Sequence, residues 1–364
     1  MPASSPAETR PFLLRYPALT AALPMVELAV LPTPLLPMPR LGAEIGVGEL
    51  LLKDDGPSSA AYGGNKVRKL ELLLGAARAA GAREVMTFGY AGSNHATATA
   101  VHAAALGMRS ISMLMPQENA KYLRTNLLVS AAAGAELHEY DSVSAVAAGV
   151  LWQTLRHRLR TGRAPYRVDP GGSNALGTIG FVAAAFELIA QMQERGLPAP
   201  AAVYVACGSM GSAIGLALGF ALLAVPTRVM AVRVTDAQYV NVRRGRGLWE
   251  ATAGLLRRSD PSTAPPPFDE SRLEICEGYY GGVYARATPQ SAQAARMAAD
   301  LEGLELDVSY TAKTMACLIE RARSGLAPEG SIVFWNTYST VDLSASTSGV
   351  GVADLPARLQ RYFA

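Results

Sequence analysis

Lys66 is the residue in this chain whose surroundings are most unusual for its type. It sits in the run Tyr62-Gly63-Gly64-Asn65-Lys66-Val67-Arg68-Lys69-Leu70-Glu71, where two glycines free the backbone just before an apolar periodicity of Val67, Leu70, Leu74 and Ala77 begins. That periodicity predicts a helix opening at Lys66. A cation there faces the positive end of the helix dipole, which favours the neutral amine. A neutral lysine amine is the form that attacks a carbonyl to make a Schiff base. Taken alone, the segment is also satisfied by a plain glycine turn leading into a surface helix.

Two further runs carry polar groups at turns. In Gly89-Tyr90-Ala91-Gly92-Ser93-Asn94-His95-Ala96, Ser93 is placed to cap a helix, while Asn94 and His95 are left over at the carboxyl end of an expected strand, where α/β proteins bind ligands. Its free backbone N–H groups suit a carboxylate. In Cys207-Gly208-Ser209-Met210-Gly211-Ser212-Ala213-Ile214-Gly215, small residues follow the apolar strand Val203-Tyr204-Val205 and precede a helix, an arrangement that suits a phosphate. The spacing of Gly208, Gly211 and Gly215 is not GxGxxG, and no GKS or GKT occurs. A dinucleotide site with Asp236 as ribose ligand is the poorer reading.

Positioning these turns requires alternating strands and helices. Strands are expected at 84–89, 109–115, 136–140, 202–206, 228–234 and 331–337, and helices at 93–106, 121–133, 144–160, 176–195, 212–224, 289–300 and 312–324. This is an α/β alternation that predicts parallel sheets and two lobes with a cleft between them. The proline-rich segment 260–267 reads as an exposed connection.

Half of the 364 residues are apolar and the formal net charge is +3, with basic residues scattered, so nucleic acid is not an expected partner. Three distant cysteines and four histidines give neither a disulfide framework nor a metal-ligand spacing, and no metal is expected. Residues 1–8 lack the features of a signal peptide. The uncharged stretch between Arg195 and Arg228 is broken by Pro198, Pro200 and a glycine loop, and reads as buried strand and helix, not as a membrane span. The expected location is the cytoplasm.

In this order, the three runs resemble the fold-type II pyridoxal-phosphate enzymes, and closely the D-cysteine desulfhydrase and 1-aminocyclopropane-1-carboxylate deaminase family. The likeness opens at Leu31-Pro32-Thr33-Pro34-Leu35 and takes in Pro170-Gly171-Gly172-Ser173-Asn174-Ala175-Leu176-Gly177 and Gly278-Tyr279-Tyr280-Gly281-Gly282-Val283-Tyr284. It ends near Val333-Phe334-Trp335-Asn336-Thr337. The resemblance implies a tryptophan synthase β-like fold of two α/β domains, each a mostly parallel sheet flanked by helices. Residues 1–69 with 173–364 would form the larger, cofactor-binding domain and 70–172 the smaller.

By the same resemblance Lys66 holds pyridoxal phosphate and handles the α-proton. Asn94 bonds the cofactor's phenolic oxygen, and Ser93 and His95 meet the substrate carboxylate. Gly208, Ser209, Met210, Gly211 and Ser212 cradle the phosphate. Tyr284 faces cofactor and substrate, with Ser93 and Lys66 as its catalytic companions, and Thr337 lies beside the pyridine nitrogen, where a neutral hydroxyl suits β-elimination over transamination. The chain departs from the family at Cys207 and Met210, where threonine and glycine are common, at Asn336, in place of a histidine, and at Tyr338 and Ser339, in place of two glycines. Lys53-Asp54-Asp55-Gly56 is a shortened version of another family stretch. Bulk at Met210 and Tyr338 is expected to reshape the pocket.

The implied function is a lyase or deaminase acting on a small amino acid by α-proton removal and β-elimination, working as a homodimer. Cyclopropane ring opening and β-replacement are the alternatives within the same chemistry. A non-catalytic amino-acid-binding protein and a nicotinamide oxidoreductase are those outside it.

Overall fold

The structure, a computed structural model, describes residues 10–118 and 121–364; the N-terminal stretch read for a leader lies outside them. Its strands are β1 (Leu35–Pro37), β2 (Leu50–Asp54), β3 (Glu84–Tyr90), β4 (Arg109–Met115), β5 (Glu136–Glu139), β6 (Tyr166–Val168), β7 (Ala202–Cys207), β8 (Arg228–Arg233), β9 (Leu273–Cys276) and β10 (Ile332–Asn336). They form two sheets. One has the order β1-β2-β10-β7-β8-β9, parallel except for β1, and the other the order β5-β4-β3-β6, parallel throughout.

Parallel strands covered on both faces read as near-continuous apolar runs, and β7 and β10 do so because each is sandwiched. On one face of the six-stranded sheet lie the helices Ala175–Glu194, Gly211–Leu222 and Val242–Ser259, packed through Phe181, Ile214 and Trp249. On the other lie Pro39–Ile45, Pro289–Glu302 and Thr311–Arg323, packed through Leu41, Ala298 and Leu318. The four-stranded sheet is covered by Lys66–Ala79 and Asn94–Ala105 on one side, and by Val143–Thr161 on the other. Ala175–Glu194 is long and apolar enough to cross a membrane, but 72% of its apolar window is buried inside the protein, as in the core helix of a soluble fold.

The expected elements occur within about two residues of their predicted bounds. The segment 260–267 differs. It is not a freely exposed connection: Asp260, Thr263 and Pro265 are buried, Asp260 caps a short 3-10 turn, and Trp249 Nε1 donates to the Pro266 carbonyl at 3.1 Å. Its prolines serve a turn locked to a helix. The short strands β1, β2, β6 and β9 carried too few residues of regular alternation to be read from sequence.

Candidate functional site

A cavity of about 310 Å³ opens where the carboxyl ends of β10 and β7 in one sheet face the end of β3 in the other. Ligands bind at such strand ends in α/β folds. Every residue singled out from sequence lines it: Lys66, Ser93, Asn94, His95, Gly208 through Ser212, Tyr284 and Thr337. They come from five separate stretches of chain, so the convergence is a property of the fold.

The Lys66–Ala79 helix starts where expected, and its first turn is held against the end of β10. Asn65 N–H donates to the Thr337 carbonyl at 3.2 Å. Gly64 makes that approach possible: its φ is +85°, and a Cβ there would lie 2.9 Å from the Thr337 oxygen. Burial lowers the Lys66 amine to about 8, against a small opposing pull from Cys207. The amine has no hydrogen-bond or carboxylate partner among the described residues. Desolvation is the first cause of the shift, and a helix start favours the neutral amine in the same direction.

Lys69, one turn on and on the same face, was not singled out from sequence. It is fully buried and its Nζ donates to the Gly171 carbonyl and to Ser173 Oγ, both at 3.1 Å. Burial first, then Lys66, holds this amine well below the ordinary lysine range. His95 is 3% exposed, and neither ring nitrogen makes a well-formed hydrogen bond. Burial and the two lysines keep its imidazole well below the usual value, against a weaker opposing influence of the Asp169 backbone. These groups are placed to receive an anion.

The Cys207–Ser212 loop supplies the neighbouring wall. A Cβ on Gly211 would come within 2.4 Å of Ser173 Oγ and 2.6 Å of Lys69 Nζ, so glycine is what lets these two polar groups close on the loop. Ser209 Oγ lies 2.8 Å from Ser173 Oγ, and Ser212 Oγ accepts from Asn65 Nδ2 at 3.2 Å. Met210 has a φ of +67°, rare for a residue with a Cβ. The end of its side chain points away from the cavity that the residue lines. It turns into the core, with Sδ 3.5 Å from Cys207 Sγ and Cε against Gly245, so the two departures in this loop pack on each other. Tyr338 does line the cavity.

Ser93 caps its helix as expected, Oγ accepting from Ala96 N–H at 3.2 Å. The Asn94 amide is oriented from behind. Its Oδ1 accepts from Asn126 Nδ2 at 2.8 Å and lies 3.2 Å from the Tyr62 hydroxyl. Asn126 Nδ2 also donates to the Gly92 carbonyl at 3.0 Å, an atom that can only accept, which settles which end of Asn126 faces Asn94. The Asn94 N–H₂ is left for the cavity. Across from it, Tyr284 stacks on Tyr90, with centroids 4.0 Å apart, and its hydroxyl is in hydrogen-bond contact with that of Tyr310. Burial raises the Tyr284 phenol well above its usual range. Tyr310 and Asn126 gave no sequence signal, since neither stands beside a glycine turn. Lys69 stands in the same run as Lys66, and its i,i+3 spacing is the available clue.

A family model described as "Pyridoxal-phosphate dependent enzyme" matches residues 26–337. The chain is 34% identical over 326 residues to the nocardicin C-9' epimerase of Nocardia uniformis subsp. tsuyamanensis, covering 88% of this chain and 94% of that protein. It is 33% identical over 322 residues to the D-cysteine desulfhydrase of Salmonella typhi, covering 86% and 93%. A crystal structure of an ACC deaminase homologue superposes with a TM-score of 0.76 at 32% identity, covering 93% of this chain and 98% of that one.

Proposed function

The chain belongs to the family of pyridoxal-phosphate-dependent enzymes, uses that cofactor and works as a lyase or deaminase, and we propose that it removes the α-proton of an amino acid and expels a β-substituent. The observation that carries this reading is the depressed amine of Lys66, unpartnered among the described residues, in a cavity that Lys69, His95 and the Gly208–Ser212 loop also line.

The residues fit the cofactor. The Gly208–Ser212 loop, which lines the cavity with Lys69 close against Gly211, suits a phosphate. Lys66 would hold the aldehyde carbon, the Asn94 N–H₂ would donate to the phenolic oxygen, and Thr337 would meet the ring nitrogen. Bound there, the cofactor supplies an electron sink for the α-carbon. Lys66 Nζ takes the α-proton and, with its pKa lowered to about 8, returns it or passes it on. The β-substituent leaves with the electron pair of its bond to Cβ, and the unsaturated amine released takes up water to give a keto acid and ammonia. Ser93 and His95 orient the substrate carboxylate. The Tyr284 hydroxyl, in contact with that of Tyr310, would give a proton to the leaving group. Tyr284→Phe is expected to slow turnover by roughly 10²–10⁴-fold if that hydroxyl moves the proton.

The larger domain in this reading comprises 1–69 and 173–364 and the smaller 70–172. Strand membership supports the division, the six-stranded sheet drawing on 35–54 and 202–336 and the four-stranded one on 84–168. A cytoplasmic homodimer completes the proposal. The apolar stripe of Leu151, Leu155 and Leu159 on the outer face of the Val143–Thr161 helix is surface of the kind a second copy covers.

A second reading, epimerisation at the α-carbon, has one feature in its favour. The Tyr284 and Tyr310 hydroxyls are in contact, and the pair would serve as a proton carrier separate from Lys66, as two-sided proton exchange requires. Holoenzyme incubated in deuterated water with β-substituted amino acids of both configurations separates the two. Keto acid and ammonia in equal amounts are expected. Deuterated amino acid of inverted configuration without keto acid would replace elimination by epimerisation.

A further inference from the structure

The cavity has a second half that the chemistry above does not use. Along β3 and β4 the paired residues Phe88 with Met113 and Tyr90 with Met115 point to one face of the four-stranded sheet. Deeper in the sheet that face is sealed by Val146 and Val150 of the Val143–Thr161 helix, which pack on Met86, Ile111 and Met113. The helix begins only at Val143, capped by Ser142, so its cover ends before the strands do. Phe88, Tyr90, Met113, Met115, Val143 and Val146 consequently line the cavity as a wall of uncharged side chains, with Arg167 stacked over the Phe88 ring but not itself a lining residue. Val143, 65% exposed, sits at its mouth in the first turn of a helix, where a polar residue is the ordinary choice. Tyr90 joins this alcove to the reaction centre by stacking on Tyr284.

We infer that the substrate is an amino acid with a bulky, uncharged, apolar side chain or β-substituent, aromatic or branched, which the alcove takes. The inference rests on the reading of the Lys66 site above. A three-carbon substrate, held by its carboxylate and amine, would leave this wall against water. An aromatic group leaving from Cβ would cover it and pack beside Tyr90. A hydrophobic wall discriminates by removing apolar area from water, and one methylene in such a site is worth roughly 10–200-fold.

Holoenzyme is titrated with S-benzyl-cysteine and S-methyl-cysteine, each in both configurations, with binding read from the cofactor's absorbance and keto acid release measured separately. The two ligands share a thiolate leaving group and differ in apolar bulk. S-benzyl-cysteine is expected to bind at least about tenfold more tightly in the accepted configuration. Val143→Asp, at an exposed helix start where an acidic residue is compatible with folding, is expected to pull that ratio towards one. Equal binding, or preference for the methyl compound, overturns the alcove assignment whether or not keto acid forms. Tighter binding of the benzyl compound without keto acid keeps the alcove and overturns the elimination reading. A Val143→Asp protein that retains the full ratio shows that the bulky group lies elsewhere.

Discussion

The first turn of the Lys66–Ala79 helix divides two regions that treat charge in opposite ways. On one side Arg68 reaches Asp55 at 2.8 Å and Glu187 at 2.9 Å, and Lys53 reaches Glu187 at 2.5 Å. Thr33, Gln191 and Trp335 Nε1 complete the hydrogen bonds of this buried set. Two cations meet two carboxylates, and the Arg68 and Lys53 cations hold Glu187 down to about 2 despite its burial. On the other side Lys66 and Lys69 share a face with His95 close by, and neither lysine has a carboxylate partner among the described residues. A buried charge left without a counter-ion is costly, and here the amines respond by falling in pKa. The paired side fixes the helix to β2, to β10 and to Ala175–Glu194. The unpaired side keeps its amines for ligands.

Removing the unpaired amine has the largest expected effect. Lys66→Ala should leave the fold intact, abolish the borohydride-reducible cofactor adduct and lower turnover by roughly 10²–10⁴-fold through loss of proton handling alone. A variant turning over at the parent rate would assign the chemistry to another group. Breaking the paired side should act on stability instead. Arg68→Leu leaves buried Asp55 without a cation and Glu187 with Lys53 alone, and losing one partner of a buried ion pair costs about 3–5 kcal/mol. Denaturant titration should show that loss in the apoprotein. A loss below 1 kcal/mol would mean the carboxylates find other partners and the contrast between the two sides is not energetic.

The pKa of Lys66 sharpens the contrast further. With the amine at about 8 against an ordinary 10.5, the folded apoprotein binds fewer protons than the unfolded chain across that window. Its stability therefore rises with pH from about 8 to 10.5, and Lys66→Ala should flatten part of that slope. Capture of pyridoxal phosphate by the apoprotein needs the neutral amine, so its rate should climb about tenfold per pH unit below 8 and level off above it. Stopped-flow absorbance reads this directly. A rate still climbing at pH 10 would show an amine that is not desolvated.

Much of this was legible in the residues. Lys66, Asn94 and the Gly208–Ser212 loop stand next to glycines or at strand–helix turns, where local conformation and chemistry coincide, and the alternation of periods gave the layered fold. What escaped was set by long-range packing. Lys69 reads as an ordinary second lysine until Gly171 and Ser173 are brought to it from a hundred residues away. Met210 reads as an obstruction because sequence does not tell which way a side chain at positive φ turns, and Gly245, 35 positions on, makes the room it needs. The ion network was hidden for the same reason. Its members are scattered from Thr33 to Trp335, and each alone is an unremarkable polar residue.

The smallest expected effect tests whether the unpaired side is also oriented. The Asn94 N–H₂ faces the cavity because its carbonyl oxygen is already engaged by Asn126, whose own amide is fixed by the Gly92 carbonyl. Asn126→Leu removes that engagement and lets the Asn94 amide turn over. Asn126→Asp goes further. An acceptor beside Asn94 Oδ1 draws the N–H₂ back and presents an oxygen to the cavity, where the cofactor's phenolic oxygen would meet it. A hydrogen bond of this kind is worth about 0.5–1.5 kcal/mol, so Asn126→Leu should weaken cofactor binding only severalfold and Asn126→Asp somewhat more. Thermal stability should fall in both and does not discriminate, since Asn126 is buried and bonded whatever Asn94 does. The absorption maximum of the bound cofactor does discriminate. It depends on the donor at the phenolic oxygen and should shift in the aspartate variant beyond the leucine one. Unshifted spectra in both would reduce Asn126 to packing and leave Asn94 to find its orientation from the ligand itself.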